Sequence, residues 1–177
     1  MKRLFLSMLV ALMALASWAV NNDQYTIIVS LDGFRWDYCE AYNTPFLNSM
    51  AEKGVKAVMS PSFPSKTFPN HYTLATGLVP DHHGIIANSF RIRSTGKKYS
   101  LGNAETRSDT RNYGGDPIWL TAKRQGMTTA TVYWVGSDIP IKGGYANYWQ
   151  DYQKKPLLTD VERAEEVVRL LQLPESE

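Results

Sequence analysis

The segment YTIIVSLDG, residues 25–33, is a β-branched run that ends in Asp-Gly. It reads as a buried strand followed by a tight turn. Helix-like and strand-like segments alternate after it. Thr44 and Pro45 suit the N-cap and first helical position, Gly54 suits the end, and Phe46, Leu47, Met50 and Ala51 share a face. VKAVM (55–59) reads as a short strand, and Pro69 opens a helix that Gly77 closes. Residues 85–100 read as a hairpin turning at Thr95 and Gly96, Asp116 and Pro117 start a helix ended near Gly126, and MTTATVYW (127–134) reads as a strand. Thr159 and Glu162 form a capping-box pattern ahead of Val161, Ala164, Val168 and Leu171, with Pro174 as the stop. Such alternation predicts an α/β fold, a mainly parallel sheet sandwiched by helices. It breaks off where another strand is due, so residues 21–177 read as the front, N-terminal portion of a larger, truncated domain. Half a parallel sheet exposes a strand edge and apolar surface, so a poorly soluble or partly molten chain is expected.

The first 20 residues differ in character. Lys2 and Arg3 precede an apolar run from Leu4 to Ala16, and Ser17 and Ala19 stand two apart as a signal peptidase requires. The run is short for a membrane span of roughly 20 residues. Residues 1–20 are therefore expected to be an export signal, with delivery to the periplasm, cell surface or exterior; no transmembrane segment is expected in the mature chain. Export implies an oxidising compartment, yet Cys39 is the one cysteine of the 177 residues, so no intrachain disulfide can form. Basic and acidic residues number 19 and 17, which gives no indication of a nucleic-acid-binding surface.

Three groups of residues could carry chemistry. Asp32 lies at the carboxyl end of the expected strand, where functional groups gather in open α/β sheets; it is either a metal ligand or an ordinary turn aspartate. Thr67 stands in PSFPSKTFPNHYTLATG (61–77), at a helix N-terminus suited to a phosphate or a developing oxyanion. Its hydroxyl is either a helix cap or a nucleophile, and as a nucleophile it needs a base or a metal ion. His71, His82 and His83 are poorly spaced for one ion. Trp134, Tyr145, Tyr148, Trp149 and Tyr152 either cover the core or stack on a nucleobase.

In combination the motifs are more specific. IIVSLDGFRWDY, TPFLNSMAEKGV, SFPSKTFPNHYTLATGLVPDHHGIIANSF, GGDPIWLTAKRQG and ATVYWVGSD occur in that order. The chain resembles the nucleotide pyrophosphatase/phosphodiesterase family of the alkaline phosphatase superfamily, from residue 25 to residue 174. The resemblance implies an alkaline-phosphatase-like fold and hydrolysis of phosphodiester or pyrophosphate bonds through a phospho-threonine intermediate on Thr67. It implies Asp32 and Thr67 as ligands of one zinc ion, and Asn88 as the amide that binds a phosphate oxygen, with the Phe68 N–H as a second donor. Phe68, Trp134 and Tyr152 correspond to the aromatic walls of the nucleobase pocket, with Asp138 beside it. The family pattern commonly has proline where this chain has Val135, which implies a different pocket floor. Two zinc ions are implied, and the ligands of the second have no counterpart in this chain, nor do the three histidines match ligand positions.

A small-molecule nucleotide or other phosphodiester is the implied substrate; the family also takes choline-headed phospholipids. The chain alone is expected to be nearly or wholly inactive. Other readings are a non-catalytic nucleotide- or phosphate-binding remnant and a phosphomonoesterase. A sulfatase is disfavoured, because no Cys or Ser stands in the C/S-x-P-x-R pattern and Thr67 occupies the nucleophile position.

Overall fold

The computed structural model describes residues 25–174, so the expected export signal lies outside the described residues. Contacts divide the chain into two compact units, Met1–Leu31 and Asp32–Glu177. Of the first, residues 25–31 are described. They form no helix or strand, and Tyr25, Ile27, Ile28, Val29 and Leu31 are each at least half exposed. The buried strand expected there is therefore not formed among the described residues. A strand of this composition is stabilised by cover on both faces, and the run lacks that cover.

The second unit opens with a turn at Asp32 and Gly33, where Gly33 takes φ 67°. Helix α1 (Tyr38–Ala41) follows, carrying the half-buried Cys39, and then α2 (Pro45–Lys53). Pro45 occupies the start of α2 as expected and Gly54 its end, but the Thr44 side chain makes no capping bond. Residues 55–59 do not form the expected strand: Val55 is 94% exposed. Two helices come next, α3 (Thr67–Thr76) and α4 (Pro80–His83), closed by Gly77 and Gly84 in the left-handed region. At Gly84 the requirement is twofold, because φ is 86° and a Cβ would meet the Asn112 carbonyl oxygen at 2.8 Å.

The expected hairpin forms between β1 (Ser89–Arg91) and β2 (Lys98–Ser100), antiparallel, with Phe90 opposite Tyr99. Gly96 takes φ 69° in its turn and donates its N–H to the Ile92 carbonyl at 2.8 Å. Helix α5 (Ala104–Arg107) is capped by the Asn103 side chain, and α6 (Ile118–Arg124) begins after Pro117. Asp116 does not cap α6; its carboxylate sits between Arg124 and Lys142, 3.0 Å from each. Of the strand expected over 127–134 only β3 (Ala130–Thr131) is paired. Its partner, β4 (Tyr148–Trp149), lies in the aromatic segment and runs parallel to it. Helix α7 (Asp160–Leu171) carries the full capping box: Thr159 accepts from the Glu162 N–H while Glu162 accepts from the Thr159 N–H.

The core collects where α3, α6, the hairpin and the 135–146 loop meet. Tyr72, Ile85, Tyr99 and Ile141 are fully buried there, with Tyr113, Trp119 and Leu120 nearly so. Tyr113 donates its hydroxyl hydrogen to the Arg107 carbonyl at 2.8 Å, so at 2.9 Å it accepts that of Tyr99. These two buried hydroxyls thereby each meet a partner, whereas the Tyr72 hydroxyl is buried without one. Elsewhere, faces that the apolar pattern marks for burial are open. Phe46 and Met50 on α2 are 73% and 55% exposed, and Val161 and Val168 on α7 are 67% and 52% exposed. Both helices form through their local end signals, while the surfaces that would cover those faces are not among the described residues. Among the described residues no helix is long and apolar enough to cross a membrane.

Candidate active site

Thr67 is the first residue of α3, and the preceding Lys66 holds the N-cap position in extended backbone without a side-chain cap bond. The threonine hydroxyl is therefore not spent on capping. It donates to Asp32 Oδ2 at 3.1 Å across 35 residues of chain. Gly33 permits the turn that aims Asp32, since a positive φ is open to glycine without steric cost. A hydroxyl on a carboxylate, at the positive end of a 10-residue helix, is an arrangement that can stabilise negative charge on a bound group.

The loop before Thr67 is held by Asn70, one turn along α3. Its Nδ2 donates to the Pro64 carbonyl at 2.9 Å and to the Lys66 carbonyl at 3.0 Å. Its Oδ1 accepts the Ser62 N–H at 2.8 Å and the Ser62 hydroxyl at 3.1 Å. Every donor and acceptor of the carboxamide is satisfied, and all four bonds bind residues 62–66 to the helix. Asn70 was not among the expected site residues, although it stands in the K-T-F-P-N-H element; a carboxamide one turn after a helix start is the trace it leaves in sequence. From Ser62 the network continues through Thr73 Oγ1, at 3.3 Å, to His83 Nε2, a further 3.0 Å away.

His83 is fully buried and accepts the Ile85 N–H on Nδ1 at 3.2 Å. Nε2 must then carry the proton and donate to Thr73. Burial holds the ring's pKa below the ordinary 6.5, against the opposing pull of the Pro69 carbonyl and Asp81. His83 is thus a neutral core residue. His71 uses Nδ1–H to bond the Thr67 carbonyl at 2.8 Å, and His82 is exposed.

Asn88 sits just ahead of β1, and its Oδ1 accepts the Phe68 N–H at 3.0 Å. That N–H, expected as a second phosphate donor, is already engaged. Trp134 packs partly buried against the core and donates Nε1–H to the His71 carbonyl at 2.9 Å, with the two rings edge to face. Phe68 packs against the same core, and Val135, which follows Trp134, is buried within it. Asp32, Thr67, Phe68 and Asn88 are thereby gathered about the first turn of α3, and Trp134 meets the same helix one turn on, at His71.

Asp138 and Tyr152 belong to a second group. The Asp138 side chain is 3% exposed and lies against Arg107, whose Nη1 donates to Oδ1 at 3.2 Å and stands 2.9 Å from Oδ2. Asp138 was expected beside the pocket as a contact residue; here its charge is met by a buried guanidinium. Tyr152 is 45% exposed, with the Arg107 guanidinium carbon 5.9 Å from its ring centre, Lys155 Nζ at 4.8 Å and the Tyr133 ring at 5.8 Å. Tyr145 and Trp149, also candidates for base stacking, lie face to face at 4.4 Å.

As a metal site the region is partial. Asp32 Oδ2 and Thr67 Oγ1 are two adjacent oxygen donors, which fits part of a four-coordinate zinc site. Among the described residues no group of three or more His, Cys, Asp or Glu could hold an ion.

Residues 26–177 match the family model described as type I phosphodiesterase / nucleotide pyrophosphatase. Ectonucleotide pyrophosphatase/phosphodiesterase family member 3 of Bos taurus is 38% identical over 154 residues, which cover 85% of this chain and 17% of that protein. Venom phosphodiesterase 2 of Crotalus adamanteus is 39% identical over 153 residues, 85% of this chain and 18% of its own length. The chain thus spans less than a fifth of the length of these curated relatives. Among solved structures, murine ectonucleotide pyrophosphatase / phosphodiesterase 5 superposes with a TM-score of 0.77 at 32% identity, covering 86% of this chain and 40% of the other. A threonine-to-alanine variant of that murine protein, described as inactive, was solved in complex with AMP, with a TM-score of 0.77 at 31% identity. The α/β, alkaline-phosphatase-like fold class expected from the sequence is borne out by these structures, although the individual strands over 25–31 and 55–59 are not.

Proposed function

The chain belongs to the type I phosphodiesterase / nucleotide pyrophosphatase family, and on that premise we propose that it supplies the nucleophile-bearing part of an exported, zinc-dependent enzyme that hydrolyses phosphodiester or pyrophosphate bonds in nucleotides. The observation that carries this reading is the Thr67 hydroxyl, which is held on Asp32 at the start of α3 while Lys66 occupies the cap position.

Thr67 Oγ attacks phosphorus as its hydroxyl proton passes to solvent water, and the P–O bond to the leaving group breaks with its electron pair on the departing oxygen. The phospho-threonine so formed still carries the nucleoside as its second ester; water then attacks phosphorus, the P–O bond to Thr67 breaks, its oxygen regains a proton, and the nucleoside monophosphate is released. Zinc, when bound at Asp32 and Thr67, supplies a Lewis acid that lowers the pKa of the hydroxyl and offsets charge on the phosphoryl group. The first-turn dipole of α3 acts in the same direction. Asn88, its oxygen fixed on the Phe68 N–H, keeps two N–H hydrogens for a non-bridging phosphate oxygen, preorganised as an oxyanion-binding donor. Phe68, Trp134 and Tyr152 wall the nucleobase. The AMP bound to the inactive threonine variant of the murine relative supports both the nucleotide and the threonine. The names of the relatives, ectoenzymes and venom enzymes, support export.

The test uses the longest protein encoded around this chain, with zinc, on the p-nitrophenyl ester of thymidine monophosphate. Thr67→Ala should lower kcat by about 1000-fold or more, and Asp32→Asn should lower the bound zinc measured by atomic absorption. Undiminished turnover in Thr67→Ala refutes the nucleophile assignment, and a wild-type zinc content in Asp32→Asn refutes the ligand assignment.

A further inference from the structure

Arg107, buried beside the second group, is left without a task by the proposed function. It ends α5, is 4% exposed, and joins three stretches of chain. Its carbonyl accepts the Tyr113 hydroxyl in the core at 2.8 Å, its Nη1 meets the Asp138 carboxylate, and its guanidinium carbon lies 5.9 Å from the Tyr152 ring centre. Beside it, Gln153 Nε2 donates to Ser108 Oγ at 3.2 Å, a second tie between the Tyr152 segment and the end of α5.

A buried ion pair is costly unless its geometry and remaining hydrogen bonds are good. Here one guanidinium nitrogen serves the whole carboxylate: Arg107 Nη1 lies 3.2 Å from Oδ1 and 2.9 Å from Oδ2, while Arg107 Nη2 is buried without a hydrogen-bond partner. A buried pair is by itself weak evidence of stabilisation, since well-packed hydrophobic residues of the same volume often serve as well. What it does provide is position: a planar, permanently charged group held from the core on one side and set against an aromatic ring on the other. Tyr152, nearly half exposed, has few other constraints. The Lys155 contact comes from a flexible chain and Tyr133 meets it edge on.

We propose that Arg107 is a positioning residue for the nucleobase pocket: anchored by Asp138 and by the core, it fixes the Tyr152 ring and so sets the preference for substrates that carry a base. Asp138 then acts behind the pocket wall, as the counter-charge of Arg107, and does not touch the base. This rests on the reading of Tyr152 as a wall of that pocket.

The experiment compares kcat/KM for the p-nitrophenyl ester of thymidine monophosphate with kcat/KM for methyl p-nitrophenyl phosphate, which has no base, in the zinc-loaded full-length protein. The ratio of the two is the readout, because a general loss of structure lowers both values and leaves the ratio in place. Arg107→Gln should lower the ratio about fivefold, the scale of one partly desolvated cation–π contact. Arg107→Lys, which keeps the charge without the planar fork, should fall between. Tyr152→Ala should lower the ratio as well, and Arg107→Gln added to it should cause no further fall. If Tyr152→Ala lowers the ratio while both Arg107 variants keep that of the wild type, the inference is wrong and the pocket assignment stands. If Tyr152→Ala leaves the ratio unchanged, the pocket assignment fails and takes the inference with it. A full additional fall in the double variant also overturns it, since Arg107 would then act elsewhere than through Tyr152.

Discussion

Asn88 turns its side-chain oxygen to the Phe68 N–H, 3.0 Å away, in the first turn of the helix that begins with Thr67. This bond decides which way the carboxamide faces, and so leaves Nδ2 as the end available to a ligand. Asn88→Asp keeps the acceptor for Phe68 and removes both hydrogens, so it should lower kcat by about 100- to 1000-fold with little change in melting temperature. Stopped-flow or steady-state assays alongside a thermal melt check this. An unchanged kcat in Asn88→Asp removes Asn88 from phosphate binding.

Asn70 binds residues 62–66 to α3 through four hydrogen bonds, immediately ahead of Thr67. Asn70→Asp retains the two bonds from Ser62 and loses the two to the Pro64 and Lys66 carbonyls. A small displacement of a nucleophile is costly in rate, so kcat should fall about 10- to 100-fold while KM changes little. A rise in KM with kcat intact would show that the loop serves substrate binding and not the placement of Thr67.

His83 supplies a pH dependence of stability. Its folded pKa lies below the ordinary 6.5 because burial disfavours the imidazolium, and protonation would also cost Nδ1 its bond from the Ile85 N–H. The stability it contributes is complete above the unfolded value and is lost as pH falls through the depressed folded value, because the unfolded chain then binds a proton the folded chain refuses. The melting temperature should drop between pH 7.5 and pH 5, by about 2–4 °C per kcal/mol lost, and the drop should be smaller in His83→Gln. Equal slopes in the two proteins would assign the acid sensitivity to other groups.

The open apolar faces predict the behaviour of the 177-residue chain expressed without further sequence. With Phe46, Val55, Val161 and Val168 all more than half exposed, it should bind anilinonaphthalene sulfonate and associate at micromolar concentration. Replacing Val161 and Val168 with lysine should reduce both effects while leaving the helical circular dichroism unchanged, since the Thr159–Glu162 capping box is untouched. A monomer that melts sharply and ignores the dye would contradict this.

Local chemistry was legible from residue order. The capping box at Thr159, the proline start of α2, the glycine end at Gly77 and the hairpin between β1 and β2 with its turn at Gly96 each depend on a few neighbouring residues, and each forms as read. The turn at Asp32 and the helix start at Thr67 are likewise local features, and folding sets the two side chains 3.1 Å apart. Burial was not legible. The runs over 25–31 and 55–59 have strand composition, but a strand is made by its neighbours' backbone, and composition does not supply one. Nor did the sequence mark Arg107, Asn70 or His83 for what they do. Their partners lie 31 residues away at Asp138, eight residues back at Ser62 and 10 residues back at Thr73. A carboxamide or a guanidinium gains a role only from the groups that folding brings to hydrogen-bonding distance, and those distances exist in the tertiary structure alone.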